Sequence, residues 1–373
     1  MTRRLSILLA AGAAMALSAP VGAQTHAAPR DLPANAMASI EAGEGRAIAE
    51  KLASELIENY VYPDQAKRYA AMLRANAAAG RYDSGARHAV AELMSEDLMA
   101  VQRDGHLRVS VAEPQAGASA EGERRPPRNW PPLIQSAKWL APGIAYIRFT
   151  AFMSTPEEVA AVRDFMREHS SAQTMIFDLR NHHGGALGEM DEIFPYLFAA
   201  KTPLVTLEMP RSTFDRQGSP FGDAPTLEAS KDARFFRATH HALPGQATPL
   251  RNANVYLLIS NRTASAGEHF SLAFKTTGRA TLIGEPTAGA NHFGGPTRLG
   301  EHFAAFMPIG RTFDIKTGKD WEGDGVAPDI AVDPKQALIV ALEKAGLSRA
   351  EAGRIDATEI PAEPVHRDKL RAR

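Results

Sequence analysis

Residues 255–270 read VYLLISNRTASAGEHF. The first six form an apolar run without alternation, the pattern of a strand covered on both faces, and they pass directly into helix-forming sequence. At the junction stands Ser265-Ala-Gly-Glu268, serine at the helix cap and glutamate three residues on, which is the pattern of a capping box. A serine at this turn also presents its hydroxyl beside the free N–H groups and positive dipole end of the helix, where a developing oxyanion is favoured. Capping and nucleophilic attack both fit these residues, and a nucleophilic serine needs a base.

The same alternation recurs on either side. GIAYIRFT (143–150) reads as a strand and STPEEVAAVRDFMREH (154–169) as a helix capped at Ser154 or Thr155, with Pro156 in its first turn. TMIFDLR (174–180) is a further strand, HHGGALGEMDEIFPYLF (182–198) a loop and helix, and RATLIG (279–284) another strand, with a long irregular segment before residue 255. Apolar strands alternating with helices predict a layered α/β core. Towards the N-terminus the period is helical instead. Ile48, Leu52, Leu56 and Tyr60 recur until Pro63, then Tyr69, Met72 and Leu73 until Gly80, then Val90, Leu93, Met94, Leu98 and Val101.

These patterns divide the chain into a signal peptide (1–23), a flexible leader (24–44) and a helical domain (45–111). A Pro-rich charged linker or mobile loop (112–136), an α/β domain (137–345) that would carry any catalytic site, and a tail (346–373) follow. Arg3 and Arg4, the apolar run from Leu5 to Ala19 and the small residues Val21-Gly22-Ala23 have the three parts of a secretory signal, too short for a comfortable membrane span. The expected location is therefore the periplasm or outside the cell, after cleavage near Ala23. The absence of cysteine excludes disulfides, thiolate metal sites and a cysteine nucleophile. A formal net charge of −1 gives no reason to expect nucleic acid or an anionic membrane surface as partner.

Three further stretches carry chemistry-bearing residues. Gly184 and Gly185 in DLRNHHGGALGE (178–189) follow a strand and free backbone N–H groups at a tight turn, whereas adjacent His182 and His183 make a poor metal pair. Asp104-Gly105 turns the chain just before strand-like LRVSV and holds His106 at the turn. Glu322, in GKDWEGDGVAPDIAV (318–332), is a carboxylate beside Trp321 that is suited to orienting a histidine.

RDGHLRV, IFDLRNHHGGALGE, NRTASAGE with GRATLIGEPTAG, and WEGDGVAPDI together resemble, in order, the tail-specific (C-terminal-processing) serine peptidases. Within that family the likeness is to the branch of tricorn protease and the interphotoreceptor retinoid-binding protein repeats. It covers residues from about 45 to 345, including LIENYVYPDQAKRYAAMLRANAAAGRYDS as an N-terminal helical domain. The resemblance implies a Clp protease/crotonase-like stack of ββα units and peptide hydrolysis through an acyl-enzyme. It makes Ser265 the nucleophile, with the N–H groups of Ala266 and of Gly184 or Gly185 as oxyanion hole. The lysine that serves as base in well-known members falls at Ala290, in GEPTAGANHFGG. The resemblance therefore implies His106 as base, oriented by Glu322, and a histidine ordinarily titrates near neutrality. His292 is the rival base. No metal or other cofactor is expected, the partner is a polypeptide substrate, and the linker is too short for a PDZ module. The alternative function is a non-catalytic module binding an apolar ligand or peptide.

Overall fold

The computed structural model describes residues 32–112, 132–361 and 363–365. The single turn α1 (Ala34–Met37) precedes three longer helices, α2 (Glu44–Asn59), α3 (Pro63–Ala78) and α4 (Arg87–Val101). Ile48, Leu52, Leu56, Tyr69, Leu73, Val90, Met94 and Leu98 close on one another in one core, so the helical period of the sequence is the packed face. α3 begins at Pro63, whose fixed φ suits a first turn.

The chain then turns through residues 102–107 into β1 (Arg108–Val111). It continues through β2 (Ile134–Ala141), β3 (Ile144–Phe149), α5 (Pro156–Glu168), β4 (Thr174–Asp178), α6 (Gly188–Leu197) and β5 (Thr202–Pro210). After α7 (Arg211–Gln217), β6 (Leu227–Ser230) and β7 (Phe235–Ala242) come β8 (Asn254–Ile259), α8 (Ala266–Thr277), β9 (Thr281–Gly284) and β10 (Phe293–Arg298). Last are β11 (Phe303–Asp314), β12 (Ile330–Ala331), α9 (Ala337–Lys344) and α10 (Arg349–Asp356).

Two sheets carry the core. The first has the order β12-β9-β8-β4-β3-β2 and is parallel except for the β2–β3 hairpin. β3 and β4 are buried at every position, as unalternating apolar sequence requires. One face packs Phe149 and Phe177 on Val162 of α5, Phe194 of α6 and Phe270 and Phe274 of α8. The other packs Tyr146, Ile176 and Leu258 on Leu338, Leu342 and Ala352 of α9 and α10. The second sheet is antiparallel, ordered β1-β11-β5-β7-β6 with β10 also on β11. Its Phe303, Ala305 and Met307 complete the core of the helical domain.

Two expectations need correction. The segment read as irregular supplies β5, β6 and β7. β5 is covered on both faces and bounded by prolines, while the inward positions of β7 are Ala238, His240 and Ala242, too small or polar to show as an apolar stripe. The region read as a tail begins with α10, which is capped by Ser348 with Glu351 and buries Ala352. Within the leader, Asn35 of α1 donates to the Ala112 carbonyl at 3.1 Å. The signal peptide, most of the linker and the last eight residues lie outside the described residues. Among the described residues, no helix is long and apolar enough to cross a membrane.

Candidate active site

Ser265 sits where β8 has ended and α8 begins, with φ 53° and ψ −114°. Only Ser154 shares a positive φ among the described non-glycine residues. A serine held there is strained by about 1–3 kcal/mol, and the surrounding bonds must impose it. Glu268, from the first turn of α8, does so as the glutamate of a capping box. Its Oε2 accepts from Ser265 N–H and Ala290 N–H, both at 2.9 Å, and its Oε1 accepts from Thr287 Oγ1 at 2.6 Å and Gly289 N–H at 2.7 Å. Burial pushes the Glu268 carboxyl up to about 7, against these four donors. The Glu268 N–H bonds the Ser265 carbonyl at 2.8 Å and faces the Ser265 side chain across the capping box without a full hydrogen bond to it.

The HHGG turn lies against this serine. A Cβ on Gly184 would stand 2.8 Å from Ser265 Cβ, and one on Gly185 would stand 1.7 Å from the Phe152 carbonyl oxygen. Their φ values of 109° and 131° also demand glycine. Gly184 N–H donates to His182 Nδ1 at 3.2 Å. Burial pulls His182 down to about 3, leaving it a neutral acceptor. On either side of Gly185, Phe152 N–H bonds the Gly184 carbonyl and Ala186 N–H bonds the Phe152 carbonyl. The N–H groups of Gly185 and of Ala266, the first residue of α8, have no partner among the described residues.

Ser265, Gly185 and His106 line one cleft of about 970 Å³, with Met153, Leu187, Phe221, Phe293 and Phe306 as apolar walls. The His106 ring stacks on Phe306, centroids 5.1 Å apart at 29°. Its Nδ1 is buried without a hydrogen-bond partner among the described residues. Burial lowers His106 to about 4, with Asp104 pulling the other way, so the expectation of titration near neutrality is corrected downward. Ser265 and His106 make no hydrogen bond to each other here, which is common where no substrate closes the site.

Glu322 does not grip the His106 ring. Its Oε1 accepts from Gly105 N–H and its Oε2 from Asn291 N–H, each at 2.7 Å, so it ties down the backbone of the turn that presents His106. Trp321 is buried beside it, as read from sequence, and burial raises the Glu322 carboxyl above its ordinary range. His292, the rival base, is buried and does not line the cleft. Its Nδ1 lies 2.8 Å from Asp104 Oδ2 and 3.8 Å from Glu322 Oε2. Burial acts to lower its pKa, but the bond and charge of Asp104, with the charges of Glu322 and Asp320, outweigh that and raise it, which favours the protonated, ion-paired form. Asp104, His292 and Glu322 place possible ligand atoms within 4.8 Å of one another, yet backbone and side-chain donors already occupy both carboxylates.

Sequence reasoning missed two cleft residues. Ser154 has φ 54° and bonds Glu189 through N–H at 2.7 Å and Oγ at 3.0 Å, while Thr155 caps α5. Asp191 lines the cleft from α6 and bonds buried His240 at 2.9 Å, which in turn bonds His269 of α8 at 2.9 Å. Ser154 shows in the sequence only as a possible cap and Asp191 not at all, because the partner of each is remote along the chain.

The fold is shared with solved structures at low identity. A candidate peptidase from Parabacteroides merdae is 15% identical with a TM-score of 0.53, over 82% of this chain and 97% of that one. A lipoprotein from Streptococcus agalactiae is 13% identical with a TM-score of 0.52, over 83% and 98%. The photosystem II D1 C-terminal processing protease is 15% identical with a TM-score of 0.49, over 79% and 94%. The family model of peptidase family S41 matches residues 143–332, just over half of the sequence. The chain therefore belongs to peptidase family S41 and is a serine-type peptidase, with the α/β fold and N-terminal helical domain described above.

Proposed function

We propose that this chain is an exported serine endopeptidase that cleaves polypeptides through an acyl-enzyme. Ser265 attacks the scissile carbonyl, and His106 accepts the serine proton and returns it to the leaving amine. The N–H groups of Ala266 and Gly185 receive the oxyanion, with Gly184 supporting the turn. Glu322 acts through the backbone of Gly105 rather than on the imidazole. The observation that carries this reading is a strained serine at a strand-to-helix turn, in one cleft with a neutral histidine and two uncommitted N–H donors. Export rests on the basic, apolar and small-residue segments of positions 1–23.

A fluorophosphonate probe tests the assignment, because it reacts with an activated serine and reports its position after peptide mapping. The label should fall on Ser265, and Ser265→Ala should lose the label and at least about 10³-fold in hydrolysis of unfolded protein. An unlabelled protein, or an alanine variant of near-full activity that only melts earlier, would leave Ser265 as a helix cap. The first of those outcomes would favour a module that binds apolar ligands in the cleft.

A further inference from the structure

Among the described residues nothing polar bonds the His106 ring: its Nδ1 is buried without a partner, and its flat contact is with Phe306. Its aim is therefore inherited from the backbone of residues 104–107. We propose that Asp104 is a positioning residue for the reaction, fixing the turn that presents His106 and being fixed in turn by His292 and Tyr60. This rests on the reading of His106 as base.

The bonds divide by oxygen. Asp104 Oδ1 accepts from His106 N–H at 2.9 Å and Leu107 N–H at 3.1 Å, the pattern of an aspartate that closes its own turn. Asp104 Oδ2 accepts from Tyr60 Oη at 2.8 Å and pairs with His292 Nδ1 at 2.8 Å. Tyr60 belongs to the core of the helical domain, and His292 adjoins β10. One carboxylate, 6% exposed, therefore joins three parts of the chain behind the catalytic histidine. Burial would raise Asp104, but the hydrogen bond and charge of His292 and the donors around it hold it at about 2, so it stays ionised throughout the working range. Its negative charge also faces His106, as do the positive charges of His292 and Arg108. His292, which sequence reasoning weighed as a base, is in this arrangement the counter-ion that anchors the base's turn.

Asp104→Asn is the informative change. It can keep an oxygen for the two turn N–H groups, but it removes the charge and sets an NH₂ against His292 Nδ1. The test first labels the wild type with a fluorophosphonate and maps the site. Failure to label Ser265 overturns the catalytic reading itself, independently of Asp104. In Asp104→Asn, His292→Asn and Tyr60→Phe, the labelling rate constant is then measured per titratable site, at temperatures well below each Tm. Titration counts folded sites, so partial unfolding does not move this constant. Asp104→Asn and His292→Asn should each lose at least about tenfold in the labelling constant and in kcat. KM should stay within about twofold, and the double variant should be little worse than either single one. Tyr60→Phe should lose less. The proposal is overturned if Asp104→Asn labels Ser265 at the wild-type rate per site while only Tm falls, or if KM rises with kcat unchanged. It is equally overturned if His292→Asn abolishes turnover while Asp104→Asn retains it, because His292 would then be the base.

Discussion

Lowering the pH from 7 to 5 separates a buried neutral histidine from an ordinary one. In the proposed mechanism, proton abstraction from Ser265 requires uncharged imidazole, so kcat/KM should follow the neutral fraction of His106 in the free enzyme. With an ordinary pKa of 6.5, that fraction falls about twenty-five-fold between pH 7 and pH 5. Burial places His106 at about 4 instead, and at pH 5 about nine-tenths of it remains neutral. The direction follows from the sign: a depressed pKa extends the neutral, competent form towards acid, and activity is lost only as pH falls through about 4.

The assay is the initial rate of a fluorogenic peptide held far below KM, at half-unit steps from pH 4 to 8. The fluorophosphonate labelling rate serves as a second measurement that needs no bound polypeptide. Both limbs should have midpoints at or below about 5, and both should vanish in His106→Ala. A common midpoint near 6.5 in the two measurements would refute the reasoning. It would mean either that His106 is far better solvated than its stacking on Phe306 indicates, or that another group supplies the base.

Gly185→Ala should be destructive, since the new Cβ would lie 1.7 Å from the Phe152 carbonyl oxygen and force the turn open; circular dichroism melts and the labelling rate should both fall, whereas an active, normally melting variant would contradict the packing. Glu322→Gln turns one of two carboxylate acceptors into a donor facing Gly105 N–H or Asn291 N–H, so it should lose about 1–3 kcal/mol in denaturant unfolding together with turnover. A value near zero would show that those N–H groups find other partners. Chelation by EDTA should leave hydrolysis unchanged, because protein donors already occupy the carboxylates of Asp104 and Glu322; loss of activity restored by one divalent ion would show a metal at that cluster.

How far the sequence discloses this molecule depends on the range of the interactions. β3, β4 and β8 are legible because a strand buried on both faces must be apolar throughout, and that pattern is local. α2 to α4 are legible because one apolar stripe repeats at helical spacing. β7 escapes because its buried positions hold Ala238, His240 and Ala242, which no apolar period marks. At the site, the Ser265–Glu268 box spans three residues and shows in the sequence. The partner of Glu322 could not be read in the same way, because Glu322 and Gly105 lie 217 positions apart and the bond goes to a main-chain N–H that any residue would offer.

The same remoteness hides how the turns of Ser265 and His106 are joined. Glu268 holds the Gly289 and Ala290 N–H groups on the Ser265 side, and Glu322 holds the Asn291 N–H on the His106 side, so the loop of residues 287–292 joins the Ser265 turn to the His106 turn. The Gly105 turn presses directly onto that loop: a Cβ on Gly105 would stand 3.1 Å from Ala290 Cα and 3.2 Å from its Cβ. Gly289, at φ 76°, allows the loop to pass this close to Gly323 on its other side, where an added Cβ would meet backbone at 2.7 Å. The absence of side chains at Gly105 and Gly289 is therefore the steric condition for the turn that carries His106 to dock on this loop.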